Sequence, residues 1–197
     1  MKTRILLTML LALSFALSAC DYTGGGVEQG RAIAFESGKK MTVVLDTSTV
    51  RNKPVYNGKI VTYKVPTESM DMGPAPVCGR LLAVNPDKKT VSIYDSASVS
   101  VKEILVEFTD VQKDIDDRHP LVAGKIFPMI DREKQTVTVY APPLRSILTF
   151  NPGVAIFMPA EAWKFGDEMR IAFRNRNAEE TQAIRIMNVS KTNIFRR

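Results

Sequence analysis

The chain has 197 residues, of which 27 are Lys or Arg and 21 are Asp or Glu, so its formal net charge is +6. The charged residues are scattered and form no run of five or six like charges, and nucleic acid is a poor fit as a partner for a chain with the export signal described below. The sequence has one histidine and shows no phosphate-binding, dinucleotide, zinc, haem or nucleophile-elbow motif. We therefore expect a protein that is not an enzyme and that holds no dissociable cofactor.

The first twenty residues have the pattern of an export signal that ends at a cysteine. Lys2 and Arg4 precede an apolar run from Ile5 to Leu17, which is shorter than the roughly twenty residues that span a bilayer. This pattern is typical of a secretory signal peptide, here residues 1–19. Residues 20–28 include three consecutive glycines and are predicted to form a flexible tether.

The end of the signal, Leu17-Ser18-Ala19-Cys20, resembles the lipobox of bacterial lipoproteins. The resemblance implies a diacylglyceryl thioether on Cys20, cleavage just before it and an acyl chain on the new amino terminus. Several acyl chains hold a protein durably, whereas one holds it weakly. The alternative is an ordinary secretory signal that happens to end near a cysteine. Asp21 resembles the residue that retains enterobacterial lipoproteins on the inner membrane, which predicts an inner-membrane anchor facing the periplasm.

Cleavage of residues 1–19 would leave 25 basic and 21 acidic residues, a net charge of +4. With Cys20 lipidated, Cys78 is the single remaining thiol, so an intramolecular disulfide is excluded. We therefore expect the fold to be stabilised by packed cores.

Three segments with the same pattern predict three β-hairpins. They begin at Gly30, Gly79 and Gly124, and each has an apolar strand, a polar turn with lysine and a β-branched strand. Turn-favouring residues such as Ser37-Gly38 separate the strands. Further strands are predicted at Lys59–Val65, Arg145–Phe150, Val154–Met158 and Glu168–Asn175, and one helical turn at Pro159–Trp163.

Two similar closing segments, EILVEFTDVQKDI and AIRIMNVSKTNI, indicate two domains in tandem. The predicted boundaries are an N-terminal domain at 29–115, a linker at 116–120 and a C-terminal domain at 121–197. Many short strands with Gly, Pro and Asn turns favour small barrels. The predicted fold is therefore all-β, with two tandem small OB-like β-barrels.

Residues 124–190 resemble the periplasmic copper and silver chaperones of resistance pumps, which are five-stranded OB-like barrels. The similar residues include Gly124-Lys125-Ile126, Gly166-Asp167-Glu168 and Asn188-Val189-Ser190. The metal ligands of those chaperones have no counterparts here, because Arg145–Thr149 occupies the strand of their methionine pair. The whole chain also resembles uncharacterised lipoproteins of sulfate-reducing bacteria through its FGDEMRIAF, MNVSKT and HPLV segments.

One loop carries residues that suit a soft metal. Met70, Met72 and Cys78 offer sulfur ligands for Cu(I), and His119 would complete the set if the linker folds back. The alternative is that the methionines pack over a barrel end and that Cys78 begins a strand as a small apolar residue.

A second candidate surface is basic. Arg170, Arg174 and Arg176 are evenly spaced, which predicts one outward face of a strand. This face is either simply solvated or binds an anion or a partner.

The function that these features favour is non-catalytic binding or scaffolding by a membrane-anchored periplasmic lipoprotein, accessory to an envelope complex. Its expected partners are the membrane, through the lipid on Cys20, and a protein of the cell envelope. The alternative is a module that binds a small ligand or Cu(I).

Overall fold

The computed structural model describes residues 25–49, 54–66, 73–175 and 181–192. Within these ranges the chain forms strands and short 3₁₀ helices, as the all-β prediction required. No helix in the described ranges is both long and apolar enough to cross a membrane. The elements are β1 Gly26–Glu36, β2 Lys40–Leu45, β3 Ile60–Lys64, β4 Leu81–Asn85, β5 Thr90–Asp95, β6 Ser100–Leu105, β7 Glu107–Gln112, β8 Met129–Asp131, β9 Thr136–Ala141, η1 Pro142–Leu144, β10 Ser146–Asn151, η2 Gly153–Phe157, η3 Ala160–Trp163, β11 Glu168–Phe173 and β12 Thr181–Asn188.

The three predicted hairpins are confirmed as β1–β2, β4–β5 and β8–β9. Each turn is stabilised by a residue within it or by the last residue of its first strand. Gly38 adopts a positive φ of 69° in the first turn. The Asn85 side chain accepts the Lys88 N–H in the second turn, and the Asp131 side chain accepts the Lys134 N–H in the third. Local sequence is therefore sufficient to form these units.

Five strands close into one barrel, in the order β1-β2-β3-β12-β11 and back to β1. All neighbours in it are antiparallel except β3 and β12, which pair in parallel through Tyr63 and Thr181. Its interior is apolar and includes Ala32, Met41, Val43, Leu45, Tyr63, Val65, Met169, Ile171, Phe173, Ala183 and Ile186. Residues 65–167 are thus an insertion between the third and fourth strands of the barrel.

The inserted residues form two open antiparallel sheets, β4-β5-β6 and β7-β10-β9-β8. Only Val106 separates β6 from β7, and this residue is buried. Trp163 is fully buried and packs edge-on against Phe150, with 5.8 Å between the ring centroids. The two sheets and the helices η2 and η3 share one core, made of Leu81, Val84, Val91, Ile93, Val106, Val137, Val139, Ala141, Leu148, Phe150, Ile156, Ala162 and Trp163.

The expectation of two barrels needs correction, because one closed barrel is present among the described residues. The strand predicted at Glu168–Asn175 and the closing segment AIRIMNVSKTNI do become neighbours in the barrel, as β11 and β12, but β1, β2 and β3 supply its other three strands. Strands from both sides of residues 116–120 therefore share one barrel. The strand before this segment, β7, pairs with β10, which lies beyond the segment. The three hairpins have the same local pattern, so the local sequence does not reveal which of them pairs with β11.

The strand predicted at Val154–Met158 is wrong, since η2 occupies Gly153–Phe157. Pro152 precedes it, and Gly153 has a φ of 58° that suits glycine. The chain therefore forms a short helix at the point where its apolar residues predicted a β-strand.

The barrel and the insertion meet around Arg31, which is only 4% exposed. Its Nε donates to the Leu82 carbonyl at 2.6 Å and its Nη1 to the Gly166 carbonyl at 2.9 Å. The guanidinium also lies 4.8 Å from the centroid of the Phe165 ring. The backbones approach so closely here that a Cβ on Gly166 would lie 2.1 Å from the Ala32 carbonyl oxygen.

Apolar packing accompanies this polar contact. Val44 and Tyr56, from the barrel side of the junction, form a small buried cluster with Leu82 of β4. Burial raises the pKa of the Tyr56 hydroxyl well above its ordinary value, while the nearby Arg31 charge opposes this rise. The hydroxyl therefore stays protonated, and Arg31 is the charged group of the junction.

Replacing Arg31 tests the importance of the junction. Arg31→Met keeps most of the side-chain volume but leaves the buried Leu82 and Gly166 carbonyls without these donors. We expect a loss of about 2–4 kcal/mol in the free energy of unfolding, measured by urea denaturation. Arg170→Met is the matched control at an exposed position, with an expected change within about 0.5 kcal/mol. Equal losses in the two variants would contradict the role of Arg31.

Candidate functional site

Among the shallow clefts on the described surface are three with volumes of about 530, 520 and 490 Å³. The first lies on the outer face of the β7-β10-β9-β8 sheet and is lined mainly by threonines. The second is rich in lysine, and the third has acidic and basic walls. None of these three contains one of the predicted lipidation, metal-binding or anion-binding residues. Characteristic lining residues are Thr136, Thr138 and Thr149 in the first, Lys39, Lys40 and Lys64 in the second, and Asp116, Asp117 and Arg145 in the third.

The lysine-rich cleft is partly neutralised by its own carboxylate. The Lys39 Nζ lies 2.5 Å from one Glu36 oxygen, and the Lys40 Nζ lies 3.9 Å from the other. These pairs reduce the attraction that the cleft offers to an anion.

Cys78 lies beside the barrel core and is half-buried. Burial raises the pKa of its thiol, the Asp167 carboxylate raises it further, and Lys164 partly opposes the rise. Asp167 is held in place because its carboxylate accepts the Val77 N–H at 2.8 Å. The thiol form is therefore favoured, and a thiol is a weaker soft-metal ligand than a thiolate.

The other predicted metal ligands are not brought to Cys78 by any described contact. Met70 and Met72 lie outside the described residues. His119 lies in a turn, where its Nδ1 accepts the Leu121 N–H at 3.2 Å. No group of three or more His, Cys, Asp or Glu side chains in the described ranges could hold a metal ion. The soft-metal site stays a prediction.

Arg170 and Arg174 are exposed, Arg170 on β11 and Arg174 directly after it, while Met169, Ile171 and Phe173 point into the barrel. Arg176 lies outside the described residues, as do Cys20 and Asp21. The predicted outward spacing is therefore observed for the two described arginines.

The neighbouring strand contributes a third arginine that the sequence analysis missed. Arg185 of β12 lies opposite Ala172 of β11 and is exposed. Alternation in the segment AIRIM does not by itself show whether Arg185 faces outward, because the register of the strand is also needed. From the sequence alone, Arg185 could be recognised as a basic residue in a strand predicted to close a barrel, but not as part of the same face as Arg170 and Arg174.

The helix η2 presents two apolar side chains to solvent. Val154 is 90% exposed and Phe157 is 72% exposed, whereas Ile156 between them is buried. A 3₁₀ helix has three residues per turn, so Val154 and Phe157 lie above one another on the same side. We call them the apolar pair. Pro152-Gly153 signalled a turn here, but the apolar run predicted a strand.

Comparison with known proteins identifies one family. Residues 21–197 match the family DUF4881, described as a domain of unknown function. No curated protein and no solved structure matches the sequence. The similarity to metal chaperones therefore stays an interpretation of the sequence.

The raised pKa of Cys78 predicts slow alkylation. In a chain with Cys20→Ala, Cys78 is the single thiol, and iodoacetamide should label it more slowly at pH 8 than in the urea-unfolded chain. Its rate should keep rising at pH values where the unfolded thiol has already ionised, because only the thiolate reacts. Mass spectrometry measures the labelled fraction, with Cys78→Ser as the blank. A folded thiol that ionises at lower pH than the unfolded one would contradict the assignment.

Proposed function

The chain belongs to the DUF4881 family, and we propose that it is a lipoprotein anchored through Cys20 to the inner membrane and facing the periplasm. It binds a protein partner, as an accessory of an envelope complex, and does not catalyse a reaction. The signal pattern, the lipobox-like residues and Asp21 support the anchor and its location. Gly24 and Gly25 stand between Cys20 and β1, whose first residue is Gly26, so the predicted tether is short and rich in glycine.

The architecture supports a binding role. The barrel order β1-β2-β3-β12-β11, with β3 and β12 parallel, agrees with an OB-like barrel, a fold that commonly carries binding surfaces. The insertion between β3 and β11 adds a second core and further surface.

The apolar pair is the observation that carries the binding role. Val154 and Phe157 are held outward because Ile156, Ala155 and Met158 of the same segment pack on the core of the insertion. An aromatic side chain that is held outward by its neighbours is a common centre of a protein interface. The partner that fits is a protein with an apolar pocket for Phe157.

The binding role is tested by Val154→Asp/Phe157→Asp in the lipidated protein. Cross-linking in native membranes, followed by purification, should recover a specific partner with the unaltered protein and lose it with the variant. Removal of an aromatic anchor weakens a complex by about 2 kcal/mol or more, roughly 30-fold. Ile126→Asp is the matched control, because Ile126 is also highly exposed. Equal recovery with both variants, or no partner with the unaltered protein, contradicts the proposal.

The anchor is tested separately by mass spectrometry of the native protein. The amino-terminal peptide should begin at Cys20 and carry the mass of a diacylglyceryl group together with an amide-linked acyl chain. The protein should also partition into the detergent phase of a cloud-point extraction, while Cys20→Ala should not. An unmodified thiol at Cys20 would contradict the anchor.

A further inference from the structure

We propose that the outer surface of β1, β11 and β12 is a lipid-facing surface, which contacts anionic phospholipid headgroups of the bilayer that holds the chain. We call it the arginine face, defined by Arg170, Arg174, Arg185, Val27 and Ile184. Its orientation toward the bilayer rests on the proposed anchor at Cys20.

Strand pairing places these residues on one continuous surface. Val27 of β1 lies opposite Ala172 of β11, which in turn lies opposite Arg185 of β12. Adjacent strands are about 4.8 Å apart. Arg170 stands two residues from Ala172 and therefore on the same side of β11. The face combines basic groups with apolar side chains, since Val27 is 57% and Ile184 is 52% exposed.

A bulge in β12 adds an apolar residue to the basic group. The pairing of β11 with β12 shifts between Ala172 and Phe173, whose partners are Arg185 and Ala183. Ile184 is the extra residue, and both Ile184 and Arg185 are exposed as a result. An apolar and a cationic side chain thus stand next to each other on the outside, which is the combination that interfacial binding uses.

Two acidic residues of these strands, Glu28 and Glu168, have hydrogen-bonding partners. The Glu28 carboxylate accepts the hydrogen bond of the Tyr63 hydroxyl and lies 3.9 Å from the Lys59 Nζ. The Glu168 carboxylate accepts a hydrogen bond from the Gln29 amide. Among the described residues, the three arginines of the face outnumber Glu168, the carboxylate that alternation places on their side of β11.

The length of the tether places this face within reach of the membrane. Gly26, the first residue of β1, pairs with Phe173, the last residue of β11. Six residue steps from Cys20 to Gly26 span at most about 20 Å. Val27 and Arg174 lie directly beside this point of attachment. A basic surface held this close to an anionic bilayer is attracted to it by about 1 kcal/mol for each Arg near the surface.

Vesicle binding without the anchor tests the inference. The chain from residue 20 onward, carrying Cys20→Ala, is mixed with phosphatidylglycerol-containing vesicles or with pure phosphatidylcholine vesicles and analysed by flotation. We expect partition into the anionic vesicles alone, decreasing with added salt. Arg170→Glu/Arg185→Glu should lower the partition coefficient at least about tenfold.

Arg118→Glu/Arg132→Glu is the matched control, because both residues are exposed in the insertion and the change of net charge is the same. The partition coefficient of this control should stay within about threefold of that of the unaltered chain. Thermal unfolding of both variants checks that the fold is retained. Absence of vesicle binding, or an equal loss in both variants, overturns the inference. The inference is also overturned if the Arg170/Arg185 variant binds vesicles as well as the unaltered chain does but loses a protein partner. None of these outcomes bears on the lipid at Cys20, which the mass of the native protein decides.

Discussion

The architecture depends on one buried cation at the junction of its two cores. Arg31 belongs to a barrel strand, yet its guanidinium donates to the carbonyl of Leu82 in β4 and to that of Gly166 just before β11. A buried charge is tolerated only when its hydrogen-bonding capacity is met, and here backbone carbonyls and the Phe165 ring supply the partners. Any separation of barrel and insertion would leave both the guanidinium and the carbonyls without these contacts. The cation therefore fixes the alignment of the two parts as well as contributing to stability.

The same junction explains two glycines. A Cβ on Gly79 would lie 2.2 Å from the Lys164 carbonyl oxygen, and one on Gly166 would meet the Ala32 carbonyl oxygen. Close approach of three backbone segments is needed for Arg31 to reach its acceptors. In the sequence, Gly79 was recognised only as the start of a hairpin, because the segments that crowd it are distant along the chain.

The limits of sequence-based reasoning follow from the distance between pairing partners. Hairpins could be predicted, because turn residues and alternating strands are local signals. Barrel closure could not be predicted, because the residues that pair are far apart in the sequence. Gly30 pairs with Met169, and Tyr63 pairs with Thr181. The site shows the same contrast. The spacing of Arg170 and Arg174 predicted their outward face, but the addition of Arg185 depends on the register and bulge of β12. The apolar pair was missed because a one-turn 3₁₀ helix has too few residues to show its period.

The two proposed surfaces lie on different parts of the chain, and this difference gives the junction a functional meaning. The arginine face is built from barrel strands that begin at the tether, whereas the apolar pair belongs to the inserted residues. A contact of the barrel with headgroups would orient the apolar pair only if barrel and insertion moved together. Arg31 and the apolar cluster of Val44, Tyr56 and Leu82 supply that coupling. The proposed accessory role requires such coupling, because a partner in an envelope complex would itself be held at a fixed height and orientation relative to the bilayer. A flexible link between the two parts would lose this alignment even with both surfaces intact.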